Sequence, residues 1–169
     1  MWYIFGFLAL IFAISIVLLI MSADDFDRPI DFTKHILRNR PNQYLVCPQN
    51  YCPDTPNEIS PQYPVSVKEL ETLLDEALKP EQRLIKIQTT GNEDLAVYQQ
   101  SSAFFKFPDR ITIKFIPIDE THSTLAVYSR AKYGRRDFDV NKLRVKRWFK
   151  RLDKQVFEYL AQKQNNDKK

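Results

Sequence analysis

Residues 111–128, ITIKFIPIDETHSTLAVY, decide the fold class. Ile111, Ile113 and Phe115 alternate with Thr112 and Lys114, the period of a strand with one buried face. The polar run from Asp119 to His122 is too short for a crossover. The next strand, marked by Leu125, Val127 and Tyr128, therefore runs antiparallel. Upstream, Ile85 and Ile87 sit among Arg83, Lys86 and Gln88, and a turn at Gly91-Asn92 leads into Leu95, Val97 and Gln99. Ala103 to Phe107 follows, and Pro108-Asp109 reads as a break.

Helical periods flank these strands. Ser66 and Glu69 are spaced as a capping box, and Val67, Leu70, Leu73, Leu74, Ala77 and Leu78 recur at helical spacing until Pro80. Val140, Leu143, Trp148, Phe149, Leu152, Val156, Tyr159 and Leu160 predict a long final helix over about residues 140–162. Asp137 or Asp139 is placed to cap it. The order helix, strands, helix predicts an α+β domain: an antiparallel sheet of about four strands with two helices packed on one face. Residues 41–64 hold six of the ten prolines and read as extended and irregular, with one short strand at Tyr44-Leu45-Val46.

The chain opens on a different composition. Trp2 to Met21 carries no charge and no proline. At 1.5 Å per residue it spans roughly 30 Å, the thickness of a bilayer's hydrocarbon core. Trp2 suits an interfacial anchor, and Asp24, Asp25 and Asp27 end the run beyond Met21. A cleaved signal peptide is the competing reading. The run lacks a preceding Lys or Arg, is long for a signal sequence, and ends in a poor cleavage site at Met21-Ser22-Ala23. An uncleaved transmembrane anchor is therefore expected over 1–23, followed by a juxtamembrane arm over 24–40, the α+β domain over 41–162 and a polar tail over 163–169. Orientation signals conflict. Arg28, Lys34, Arg38 and Arg40 favour a cytoplasmic domain by the positive-inside rule, whereas a cysteine pair favours an oxidising compartment.

Net charge is +4, yet Arg130 to Lys154 holds eleven Lys and Arg against three Asp. Arg130, Lys132, Arg135 and Arg136 cluster before the last helix, where backbone N–H groups add positive potential. They are candidates to bind a phosphate, a carboxylate or a lipid headgroup. Arg130 could instead pair with Asp137 or Asp139 and fix the turn, a reading the spacing slightly favours. Arg144, Arg147 and Arg151 are expected as a basic helix face. Cys47 and Cys52 are close enough in sequence for a disulfide, with two buried thiols as the alternative and a metal site behind both, since His35 and His122 are the only histidines. Three glycines leave no phosphate loop and no dinucleotide fingerprint, and no catalytic or cofactor motif is legible.

Cys52-Pro53-Asp54-Thr55-Pro56-Asn57, Phe107-Pro108-Asp109 and Tyr128-Ser129-Arg130-Ala131-Lys132-Tyr133-Gly134, with Asp137-Phe138 and Val140-Asn141, resemble the DUF1499 family, a domain of unknown function. Its members carry a CPxSPN segment and a late SRSRxGxSDxGVN segment leading into a terminal helix. The resemblance covers about residues 40–152. It implies a bacterial or plastid protein, often behind a membrane or export segment, and no known activity. Glu58 stands where many members have a second cysteine, and Asp139 where the pattern has glycine.

These features together predict a single-pass protein of a bacterial inner membrane, with the domain slightly favoured on the periplasmic side. The expected role is a tethered binding or accessory module whose basic surface meets anionic lipid or a membrane-protein partner. Nucleic acid is a weaker partner, because the aromatic residues Phe104 and Phe115 read as core. The alternative is a small-ligand or enzymatic domain with a pocket between the sheet and the C-terminal helix.

Overall fold

A computed structural model describes residues 5–15, 30–38, 41–87, 94–103, 106–134 and 136–166. The expected flanks Trp2 and Met21, the Gly91-Asn92 turn, Phe104 and Arg135 lie outside them. The chain divides into two compact units, Met1–Ile30 and Asp31–Lys169. In the first, residues 5–15 form helix α1, whose apolar side chains, Phe5, Phe7 and Phe12 among them, are exposed. Among the described residues no helix is long and apolar enough to cross a membrane. The expected span, Trp2 to Met21, reaches past the described residues at both ends.

The second unit is α+β. Among the described residues seven strands form one mixed sheet: β1 (Gln43–Cys47), β2 (Glu58–Ile59), β3 (Gln62–Tyr63), β4 (Leu84–Ile87), β5 (Leu95–Ser101), β6 (Pro108–Pro117) and β7 (Ser123–Ala131). Helices α2 (Val67–Leu78) and α3 (Val140–Asn166) pack on one face. The strand order is β2-β1-β7-β6-β5-β4, with β3 paired to the start of β7. The β1–β2 pair is parallel and the rest are antiparallel.

The sheet is thus larger than the four or so strands expected. The additional strands come from the proline-punctuated stretch. β2 and β3 are two residues each, too short to show alternation, and they form because β1 and β7 offer free edges. Asn57 starts this pairing. Its N–H donates to the Leu45 carbonyl (2.8 Å) and its Oδ1 accepts from the Leu45 N–H (2.8 Å), so one residue satisfies both backbone groups of Leu45.

The capping box forms as expected. Ser66 Oγ accepts from the Glu69 N–H at 3.3 Å, and Glu69 Oε2 accepts from the Ser66 N–H at 2.8 Å. Pro108-Asp109 does not break the chain but begins β6. Proline is tolerated at the first residue of a strand. At β4 the expected inward pair, Ile85 and Ile87, is the outward one. Ile85 is 60% exposed, and Leu84 packs on the core instead. Lys86 shares Leu84's face, with its ammonium 5.8 Å over the Tyr98 ring and 2.8 Å from Asp75 on α2. An edge strand lets a lysine stem lie over apolar surface while its charge reaches water.

The core between sheet and helices contains Tyr44, Val46, Tyr98, Ile111, Ile113, Phe115, Leu125 and Val127 from the strands. Leu70, Leu73, Leu74 and Leu78 of α2 and Val145, Trp148, Leu152 and Val156 of α3 complete it. The opposite sheet face is buried too, at Leu45, Val97, Thr112, Tyr128 and Arg130. Residues 31–38, part of the expected arm, attach there. The Tyr128 hydroxyl reaches the Ile36 carbonyl (3.3 Å) and Gln43 Oε1 (2.5 Å). Asp54 accepts from the N–H groups of Ile36 (2.6 Å) and Leu37 (3.1 Å).

Candidate functional site

The late segment expected to hold an anion contributes Ser129, Asn141 and Arg144 to a buried polar network. In β7, Val127 faces the helices, and by strand parity Ser129 does so too. Ser129 Oγ donates to Asn141 Oδ1 at 2.5 Å. Arg144, one helical turn further along, is 5% exposed and spends its guanidinium on four groups. Nη1 donates to Asn141 Oδ1 (2.7 Å) and Ser129 Oγ (3.1 Å), Nε to Gln100 Oε1 (2.6 Å), and Nη2 to Asp109 Oδ2 (2.5 Å). Burial raises the Asp109 carboxyl above its ordinary value even with Arg144 beside it, and Asp137 pushes in the same direction.

Gln100 extends the network to the end of α2 by donating to Glu81 Oε2 at 2.9 Å. Glu81, whose side chain is 4% exposed, accepts both arms of Arg147 (2.8 and 2.9 Å) and one of Arg151 (2.6 Å). Burial alone would raise this carboxyl. Arg147 and Gln100 outweigh it and lower the pKa to about 2.

Of the three, Arg144 is buried, whereas Arg147 and Arg151, 45% and 35% exposed, reach from the surface to the buried Glu81 carboxylate. A planar guanidinium can serve several acceptors at once. Lysines take the outer face of α3. Lys142, Lys146, Lys150 and Lys154 are exposed, and their spacing of four residues aligns them as a strip. Leu143 and Phe157, 58% and 73% exposed, share that side. Val140 and Leu143 were expected in the apolar stripe. They are displaced from it because Asn141 and Arg144 occupy the inward positions of the first turns. Lys146 stands 3.7 Å from Glu58 and Lys154 3.7 Å from Glu158, while the Tyr63 hydroxyl binds Asp153 (2.8 Å).

The described members of the Arg130, Lys132, Arg135, Arg136 cluster have different surroundings. Strand parity points Arg130 away from the helices, where it is 4% exposed and lies 5.7 Å over the Tyr128 ring. Lys132 lies over the Tyr133 ring, Arg136 is exposed, and Arg135 is outside the described residues. The start of α3 is already occupied. Asp137 Oδ2 accepts from the Asn141 N–H (3.0 Å) and from Asn141 Nδ2 (2.6 Å), so its carboxylate answers the helix's positive end.

Cys47 and Cys52 form a disulfide, with Cα atoms 6.2 Å apart. Among the described residues no group of three or more His, Cys, Asp or Glu side chains could hold a metal ion. His35 and His122 each lie against a carboxylate, Asp54 at 3.1 Å and Asp119 at 3.0 Å.

The expected ligand pocket between the sheet and the last helix is filled. A void of about 10 Å³ remains there, beside Trp148 and Leu152, no more than one water needs. Phe115 and Trp148 are 1% and 2% exposed. Space lies elsewhere. A cleft of about 640 Å³ opens beside the start of α3, a volume suited to a small ligand. Its walls come from three places: Leu37, Pro41, Gln43 and Tyr44 before and within β1, Asn57 and Glu58 of the early segment, and Asp137, Asp139, Lys142 and Lys146 of the late one. Glu58 accepts from the Tyr44 hydroxyl at 2.9 Å, and burial together with that carboxylate pushes the phenol to about 12. This cleft has no local signature in the sequence, because its charged walls, at Glu58 and at Asp137 to Lys146, are far apart in the chain.

The backbone at the cleft's rim is unusual. Phe138 and Asp139 both adopt left-handed conformations, with φ of 52° and 63°. The glycine of the resembled pattern is explained at position 139, since glycine takes that region without strain. Phe138 is 90% exposed.

The family model described as "Protein of unknown function (DUF1499)" matches residues 38–152. No curated protein and no solved structure matches the chain.

Proposed function

The chain belongs to the DUF1499 family of proteins of unknown function, and from that premise we propose a membrane-tethered binding module whose outer α3 face rests on anionic lipid. One observation carries this reading. The basic residues of α3 divide by type, with three arginines committed to inner carboxylates and amides and four lysines left in solvent beside Leu143 and Phe157. Lysines flanking exposed apolar groups suit a headgroup layer, where ammonium groups meet phosphates and apolar side chains reach the acyl boundary. A docking partner at the membrane with an acidic surface would use the same chemistry.

The tether in this proposal is Trp2 to Met21, acting as an uncleaved span of a bacterial inner membrane. The exposed apolar side chains of α1 support it. The Cys47–Cys52 disulfide supports a domain on the periplasmic side, because such bonds persist in oxidising compartments. It outweighs the few cations after the span.

Flotation of the domain beginning at Asp31, a compact unit by itself, tests the lipid contact. Vesicles rich in phosphatidylglycerol should carry it upward and phosphatidylcholine vesicles should not. Each lysine near an anionic surface contributes about 1 kcal/mol, so reversing Lys146, Lys150 and Lys154 to Glu should weaken partitioning on the order of 100-fold. Equal flotation with both lipids, or no effect of the triple reversal, would remove the idea.

A further inference from the structure

We propose that the cleft beside the start of α3 binds a small zwitterion carrying a phosphate and an ammonium, for which phosphoethanolamine is the probe. The cleft presents both signs of charge: Asp139, Lys142 and Lys146 on the late wall and Glu58 on the early one. Lys142 and Lys146, four residues apart on α3, offer two ammonium groups to an anion. Asp139 and Glu58 offer carboxylates to a cation.

Two of these charges are uncommitted. Among the described residues neither Asp139 nor Lys142 makes an ion pair, although they stand three positions apart and line the same cleft. Asp139 lies outside the helical conformation, at φ 63°, so its side chain does not follow the helical i,i+3 alignment toward Lys142. A glycine would take this backbone with less strain, and the chain carries a carboxylate there instead. Lys146 and Glu58 are 3.7 Å apart, and both side chains are about half exposed, so a ligand can enter between them. Leu37 and Pro41 supply apolar wall for the link between the two charged groups.

The inference shares Lys142 and Lys146 with the lysine strip of α3 but does not depend on the lipid contact, because Asp139 and Glu58 lie outside that strip and free phosphoethanolamine needs no bilayer. Isothermal titration of the full chain in maltoside micelles with O-phosphoethanolamine tests it. Binding is expected, with inorganic phosphate alone and ethanolamine alone each weaker by at least about tenfold. Asp139→Gly suits the local backbone and so keeps the fold. It should reduce affinity by about tenfold or more, as should Lys142→Gln. Competition by phosphatidylethanolamine vesicles would identify the ligand as a lipid headgroup. Intact binding without such competition would identify it as a free molecule. Absence of binding up to about 10 mM, phosphate alone binding as tightly, or unchanged affinity in Asp139→Gly would each overturn the proposal.

Discussion

Arg144→Met is expected to destabilise the domain by about 3–5 kcal/mol, the usual consequence of leaving one member of a buried ion pair alone. The substitution keeps the length of the side chain and removes its charge. Asp109 would then be a buried carboxylate without its cation, and Gln100, Ser129 and Asn141 would each lose a donor. Arg144→Lys should recover little, since a single ammonium cannot reach acceptors spread over β5, β6, β7 and α3. Urea denaturation of the domain from Asp31 measures the change. A double substitution, Arg144→Met with Asp109→Leu, should be less harmful than the sum of the two singles, because removing both charges leaves neither stranded. A loss below about 1 kcal/mol for Arg144→Met would mean that the network is not built as described.

Glu81→Gln is expected to cost about 2–3 kcal/mol at neutral pH, and to change the response to acid. The Glu81 carboxyl titrates near 2 in the fold, against an ordinary value of 4.5. A lowered carboxyl stabilises the folded state above its unfolded value and loses that contribution as pH falls. The loss therefore runs from about pH 4.5 down to 2. The variant should start less stable and decline less steeply across this window. Glu69, also held near 2, by the Tyr159 hydroxyl and the Ser66 N–H, keeps part of the acid sensitivity in place. Asp109 acts with the opposite sign. Its raised value means that ionisation opposes folding above the ordinary carboxylate range. Urea midpoints measured at several pH values give the slopes. Parallel curves for the two proteins would contradict the role given to Glu81.

The local features of this fold were legible in the sequence. The capping box at Ser66 and Glu69 involves neighbours in the chain, and it forms as read. The cysteine pair is likewise local. The strands from Ile111 to Tyr128 alternate because one face meets two helices, and that period is written in their residues. What was hidden depends on partners distant in sequence. β2 and β3 have no pattern of their own and exist through pairing with β1 and β7. Lys86 faces inward on β4 because Asp75 and Tyr98 lie beneath it.

Helix α3 teaches the most. Reading its apolar letters put Val140 and Leu143 in the core and the arginines in water. The buried side is Asn141, Arg144, Val145, Trp148, Leu152 and Val156. Arg144, Trp148 and Leu152 follow at intervals of four, so the stripe was continuous once an arginine was admitted to it. Nothing local showed that Asp109 and Gln100 would be there to receive the charge. Arg and Lys count alike in net charge, and along α3 they part company: Arg144, Arg147 and Arg151 bind carboxylates of the domain, while Lys142, Lys146, Lys150 and Lys154 are exposed.

The tether is the premise of the proposed role, and carbonate extraction followed by intact mass spectrometry of the native protein measures it most directly. The account predicts that the chain stays in the membrane pellet at its full mass of 20.0 kDa, with the residues before Asp24 still attached. Recovery in the supernatant of a shorter chain beginning near Asp24 would contradict it.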